Sequence, residues 1–210
     1  AERLRAVLAG RRARAGEFFA SAAGQWDRLR AELFGGRTEL LPLLGLLDRD
    51  WVVGDLGCGT GHLAQLLAPF VGRVIAVDAS AAMLRSARAR IGDIANIVIR
   101  RGDLEELPIA DGELDAAFLV LVLPYLAEPA QAIAEAARAL KPGGRLLITD
   151  LMPHDRAEYR QTMGHKHLGF TRAGFEALMR EAGFGEVQYR ELPREPEARG
   201  PGLFVGTGQI

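Results

Sequence analysis

Apolar residues recur along this chain in two periods, and the change from one to the other divides it. From Glu17 onward, Phe18, Ala22, Trp26, Leu29 and Leu33 stand three or four apart, the spacing of one buried helix stripe. Before them, residues 1–14 carry five arginines against Glu2, with Leu4, Val7 and Leu8 at helical spacing. That stretch reads as a frayed amphipathic helix in preference to a basic arm. Gly35-Gly36 breaks the pattern, and a leucine-rich segment from Leu40 to Leu47 follows, interrupted by Pro42 and Gly45.

Short β-rich runs then take over at Trp51–Asp55, Arg73–Asp78, Asn96–Arg100, Leu114–Leu121 and Arg145–Asp150. Helix-period segments separate them at His62–Val71, Ser80–Ile91 and Pro129–Leu140. The runs are nearly continuous in apolar residues, as strands covered on both faces are. The alternation predicts βαβ units and a doubly wound, mostly parallel α/β sheet with helices on both faces. Beyond Asp150 a polar stretch leads to a helix at Thr171–Ala182, and two further runs, Glu186–Arg190 and Leu203–Thr207, read as a terminal hairpin on the sheet edge.

Composition changes this picture little. The 210 residues carry 26 Lys+Arg against 27 Asp+Glu, so the positive field that phosphate neutralisation needs is missing and nucleic acid is not the expected partner. One cysteine, Cys58, makes no internal disulfide, and no apolar run reaches the roughly 18 residues of a membrane span. The expectation is a soluble, cytoplasmic chain folded as a single domain.

The chemistry is concentrated after the first strand, in Asp55-Leu56-Gly57-Cys58-Gly59-Thr60-Gly61-His62. A strand, a glycine turn and a helix let backbone approach a ligand closely and aim N–H groups at it. The dinucleotide fingerprint G-x-G-x-x-G requires its last glycine where His62 stands, so a pyrophosphate fits poorly. Asp78 closes the second strand, where an acid accepts from both ribose hydroxyls. Asp103, after the third strand, can accept from an adenine amine while the Leu104 N–H meets a ring nitrogen. Together these strand ends describe a pocket for an adenosine bearing an amino acid.

These pieces resemble a class I S-adenosylmethionine-dependent methyltransferase. The likeness rests on Val53 to Gly61, Val77-Asp78-Ala79-Ser80 with Met83-Leu84, Gly102-Asp103-Leu104, Leu114 to Phe118, and Leu140-Lys141-Pro142-Gly143-Gly144-Arg145. It implies a Rossmann-like seven-stranded sheet with N-terminal helices and a terminal antiparallel hairpin. It implies S-adenosyl-L-methionine as cofactor, S-adenosyl-L-homocysteine as product, and cofactor contacts from Asp55, Gly57, Cys58, Gly59, Gly61, Asp78, Ala79, Met83, Asp103, Leu104 and Leu119. The tail, Asp150 to His154, Met163-Gly164-His165, Leu168-Gly169-Phe170 and Ala182-Gly183-Phe184, resembles a branch often fused to winged-helix regulators of the arsenic-repressor type.

Residues 1–48 then read as an N-terminal helical cap, 49–150 as the cofactor-binding core, and 151–210 as the acceptor-side loop, helix and hairpin. Pro124-Tyr125 resembles part of the motif of amino-methylating nucleic-acid enzymes, but Val122 stands where that motif needs a polar residue. The acceptor is therefore expected to be a small molecule with an O, N or C nucleophile. Tyr125, His154 and His165 are the candidate acceptor-side residues, a histidine serving as base near neutral pH; each histidine taken alone reads as solvent-exposed. His165-x-His167 with Asp150 and His154 is not a recognised zinc ligand set, and no metal is expected. The aromatic N-terminal helix would allow pairing with a second copy. The competing reading is a non-catalytic sensor of the cofactor or its product within a regulator.

Overall fold

The computed structural model describes Arg5, Arg14 and residues 16–210. The chain forms two compact units that meet in sequence between Leu46 and Leu47. In the first, residues 16–22 are helical, Ala23–Gln25 tighten into a 3-10 turn, and α1 spans Trp26–Phe34. Phe18, Phe19 and Trp26 meet edge to face at centroid distances of 5.3, 6.2 and 5.2 Å. The single buried stripe expected from Phe18 to Leu33 is not formed. Gly24 lies in the tightened turn, which resets the helical phase, and Phe18 and Leu33 stay 46% and 62% exposed. The expectation for residues 1–14 falls, apart from Arg5 and Arg14, outside the described residues.

The second unit is the α/β sheet. β1 (Val52–Leu56), β2 (Arg73–Asp78), β3 (Ile97–Arg101), β4 (Leu114–Val120) and β5 (Leu140–Leu151) run parallel. β6 (Gly185–Glu191) and β7 (Leu203–Gln209) complete seven strands in the order β3-β2-β1-β4-β5-β7-β6. β7 lies antiparallel between β5 and β6, and the strand order reverses at β1 and β4. A doubly wound sheet opens its crevice at that reversal. The helices are α2 (His62–Leu67), α3 (Ala81–Ile91), α4 (Pro129–Ala139), the short α5 (Tyr159–Thr162) and α6 (Arg172–Glu181). Among the described residues no helix is long and apolar enough to cross a membrane.

Local chemistry sets the boundaries. Ser80 and Thr171 cap α3 and α6, their side chains accepting from the Met83 and Gly174 N–H groups. Pro69 ends α2 early, and Ala68–Phe70 continue as a 3-10 turn. β5 starts at Leu140 rather than Arg145 because Leu140 pairs with Leu114 of β4, and further on Gly143 N–H donates to Ile210 O and Ile210 N–H to Gly144 O. At the amino ends of the strands, Asp115 accepts from Val52 N–H at 2.8 Å and pairs with Lys141 Nζ at 2.7 Å. These two motif residues therefore brace the end of the sheet away from the glycine loop. α6 lies flush on β7 because Gly206 and Gly208 leave room for Phe175 and Met179, both fully buried.

Candidate functional site

Apart from Met83, in the first turn of α3, the residues singled out for cofactor binding sit at or close to the carboxyl ends of β1 to β4. After Leu56 the chain turns through Gly57, Gly59 and Gly61, with φ of 79°, 51° and 75°. Gly57 is also needed for close approach, since a Cβ there would lie 2.5 Å from Val122 Cγ2. Gly59 faces open space, which leaves its backbone approachable.

Much of the loop's hydrogen bonding is turned inward. Gly57 and Cys58 N–H both donate to Val77 O, at 2.8 and 2.9 Å, and Gly61 N–H donates to Cys58 O. Gly59 N–H donates to Asp78 Oδ2 at 2.8 Å, and Ser80 N–H to Asp78 Oδ1 at 2.8 Å. These donors, which the glycine turn was expected to aim at a ligand, fasten the loop to β2 instead. Each Asp78 oxygen accepts one backbone N–H and retains lone-pair capacity for hydroxyl donors. On the other side, Arg90 Nε holds Thr60 O from α3 at 3.1 Å.

Asp55 is 3% exposed and accepts from Ala64 N–H at 3.0 Å, tying β1 to the first turn of α2. Burial pushes its carboxyl up to about 7, against the pull of the Ala64 N–H, and neighbouring Asp78 adds to the rise. Burial likewise pushes the Cys58 thiol up to about 12, with Asp55 and Asp78 adding to it. At neutral pH Cys58 is a packed thiol rather than a nucleophile.

β3 joins the same cluster. Gly102 N–H donates to Asp78 O and Arg101 Nε to Ala79 O. Asp103 is exposed and caps its own turn through Glu105 N–H. Leu104 is buried and packs toward Gly57. Ala79 and Met83 are exposed beside Asp78. Leu119 is buried in the core beneath the loop, opposite Leu56 across the β1–β4 ladder.

The acceptor-side candidates converge from three segments. β4 ends at Val120; Leu121 follows with a φ of 57°, strained for a leucine, and Leu123–Tyr125 then form a 3-10 turn. Asp150, fully buried at the end of β5, accepts from the Val122, Leu123 and Leu151 N–H groups and holds that turn. Burial raises its carboxyl to about 6, against the pull of these three donors. Pro124 O then accepts from both Lys166 and His167 N–H, at 2.7 and 3.2 Å. His165 packs edge-on against Tyr125 at 4.8 Å and Tyr159 at 5.4 Å, and Tyr159 meets His154 at 5.4 Å. The exposure expected for the histidines holds for His62 and is corrected for the other three: His165 is 5% exposed and His154 and His167 are half-buried, because two tyrosines and the Pro124 carbonyl enclose the segment. Asp150 as the anchor of the turn, Tyr159 and Arg156 were missed as site residues. Only Asp150 carried a signal, an acid closing a strand as Asp78 does.

Comparison with known proteins agrees with this geometry. Residues 54–148 match a family described as a methyltransferase domain. A protein of transposon Tn4556 from Streptomyces fradiae is 45% identical over 98 residues, covering 45% of this chain and 28% of that protein. The chain thus spans less than a third of that relative. A ubiquinone/menaquinone biosynthesis C-methyltransferase from Pseudomonas entomophila is 28% identical, covering 84% of this chain and 83% of that one. A solved S-adenosylmethionine-dependent methyltransferase from Mesorhizobium loti shares the fold at TM-score 0.68 and 22% identity, over 80% of this chain and 96% of that one. This chain thus matches a methyltransferase domain over residues 54–148 and shares the Rossmann-like methyltransferase fold.

Its residues suit that cofactor chemically. S-adenosylmethionine presents a ribose diol, an adenine amine and an ammonium, donors of the kind that carboxylates accept, and Asp55, Asp78 and Asp103 lie at the ends of the adjoining strands β1, β2 and β3. Among the described residues no group of three or more His, Cys, Asp and Glu is arranged to hold a metal ion.

Proposed function

We propose that the chain transfers a methyl group from S-adenosyl-L-methionine to a small-molecule acceptor with an O, N or C nucleophile, by in-line displacement. The observation that carries this reading is the meeting of the glycine loop with Asp55, Asp78 and Asp103 on adjoining strand ends. When bound, the cofactor supplies a methyl group on a sulfonium already activated for displacement, so the protein's share is alignment and exclusion of water.

In this reading Asp78 accepts from the ribose hydroxyls while continuing to hold Gly59. Asp55 meets the ammonium, a positive charge that favours its ionised form. Asp103 and the Leu104 N–H read the adenine edge, with Ala79 and Met83 along its face. Gly57, Gly61, Cys58 and Leu119 support the cradle from below. Tyr125, His154 and His165 stand on the acceptor side.

The test is to incubate the protein with methyl-labelled S-adenosylmethionine and a fractionated extract of its own organism, then follow the label. Label in one small-molecule fraction is the expected result and leads to the acceptor. Cofactor binding without transfer to any fraction would overturn methyl transfer in favour of a sensor, as the likeness of the tail to regulator-fused chains would suit.

A further inference from the structure

Three buried ring nitrogens, and no other buried side-chain polar atom among the described residues, lack a hydrogen-bond partner: His154 Nε2, His165 Nδ1 and His167 Nε2. Buried polar atoms are nearly always paired, and each exception asks for a missing ligand or a chemical role. All three belong to residues 154–167, which adjoin the turn after β4 at the sheet edge that also carries the glycine loop.

Their protonation can be read from their neighbours. Arg156 N–H donates to His154 Nδ1 at 3.2 Å, so that nitrogen holds a lone pair and the ring proton sits on Nε2. The orphan of His154 is therefore an N–H donor. Burial, then repulsion from His154, holds His165 below the usual histidine range, so its ring is neutral at pH 7 and offers one lone pair. Tyr159, in edge contact with both rings, has its hydroxyl engaged by Arg156 Nη1 at 2.8 Å. Beside them Leu121 and Tyr125 leave apolar surface exposed, 45% and 47%, at the end of β4.

We propose that His154 and His165 form the proton-handling pair of the acceptor site, and that the acceptor is a planar phenol or enol with a second oxygen beside its hydroxyl. His154 Nε2–H donates to one oxygen, and the lone pair of His165 takes the proton of the other. A weakly basic imidazole matches an acidic hydroxyl of this class and is mismatched to an aliphatic alcohol. The flat ring rests on the surface of Tyr125 and Leu121. The proposal rests on the methyl-transfer reading for its last step: as the hydroxyl proton passes to His165, giving imidazolium, the oxygen's electron pair bonds the methyl carbon. The pair of the broken carbon–sulfur bond stays on sulfur, and the imidazolium proton then leaves to solvent. These ring nitrogens are buried, so acceptor binding requires the segment around α5 to move aside.

The titratable and charged groups around His165 are His154 and Tyr159 with Arg156 from the segment after β5, Tyr125 from the turn, and Asp150, which holds that turn. Lys166 and His167 follow it in sequence, and Arg160 holds Lys166 O. The experiment uses the full chain with ¹⁵N-labelled histidine and follows ring nitrogens by NMR while catechol or, as a non-acidic match, cyclohexane-1,2-diol is added. Catechol is expected to shift the His154 and His165 resonances, and the diol to leave them in place. H165N and H154Q are expected to weaken catechol binding at least tenfold while the fold, followed by circular dichroism, is retained. Equal responses to both probes, histidine resonances that do not move, or folded variants that bind catechol like the parent would each overturn the proposal. If a variant fails to fold, Y125A replaces it, with the same tenfold loss expected and undiminished binding counting against the pair. Calorimetry with S-adenosylmethionine on the same sample separates the two readings, since absence of cofactor binding sinks methyl transfer whatever catechol does.

Discussion

Asp78 holds two backbone N–H groups and faces the open side of the loop, so its replacement acts twice. D78A is expected to weaken S-adenosylmethionine binding by about 2 kcal/mol or more, the worth of hydrogen bonds to a charged group, and to loosen Gly59 as well. Titration calorimetry checks this, and an unchanged affinity would remove the ribose assignment. Asp55 adds a pH dependence. Its folded carboxyl lies above the ordinary value of 3.8, at about 7, so ionising it opposes folding: its contribution to stability falls as pH climbs between these values and is level above them. Binding a cationic amine has the opposite slope. Affinity is expected to fall as pH drops below about 7, by up to about tenfold per unit, and D55N should flatten that dependence. The roles suggested for Asp55 and Asp78 were legible in the sequence because both close apolar runs. The burial of His165 was not, because its enclosing partners Tyr125 and Tyr159 arrive from separate segments and leave no periodic trace.

Elements show a similar division. β1 to β5 were readable because strands covered on both faces keep few polar residues, and the helices between them because their caps and apolar stripes are local. The N-terminal stripe misled because period alone cannot tell a continuous helix from two pieces joined by a 3-10 turn at Gly24. The connection from β3 to β4 shows what a helix does for a loop. On α4, Glu135 accepts from Leu107 N–H, and Arg138 holds Ile109 O and pairs with Asp111 at 2.5 Å. R138A is expected to leave the sheet intact while raising hydrogen exchange in residues 104–113 and weakening cofactor binding a few-fold; exchange confined to α4 would count against this. G206A sets a Cβ against the Phe175 ring and is expected to cost about 1–3 kcal/mol, as overpacking does. A thermal midpoint unchanged within error would show that α6 can retreat freely from β7.

At the scale of the whole molecule, the fold and the glycine-loop site follow from local pattern, whereas the cluster around Tyr125 and His165 depends on segments that only the completed sheet brings together. That dependence bears on how the molecule is made. β6 has no neighbour but β7, and β7 must slide between β5 and a strand that precedes it in the chain. Arg145 and Gln209, partners across the β5–β7 ladder, are far apart in sequence. Until that ladder zips, β5 presents a long unpaired edge rich in buried apolar residues, the kind of template on which a second chain can pair. Closing this ladder is a long-range step, as the pairing of β1 with β4 is, and such steps are slow. An intermediate arrested there would already have its cofactor loop in place while remaining open to strand addition from another molecule, so bound cofactor would not by itself protect it from aggregation.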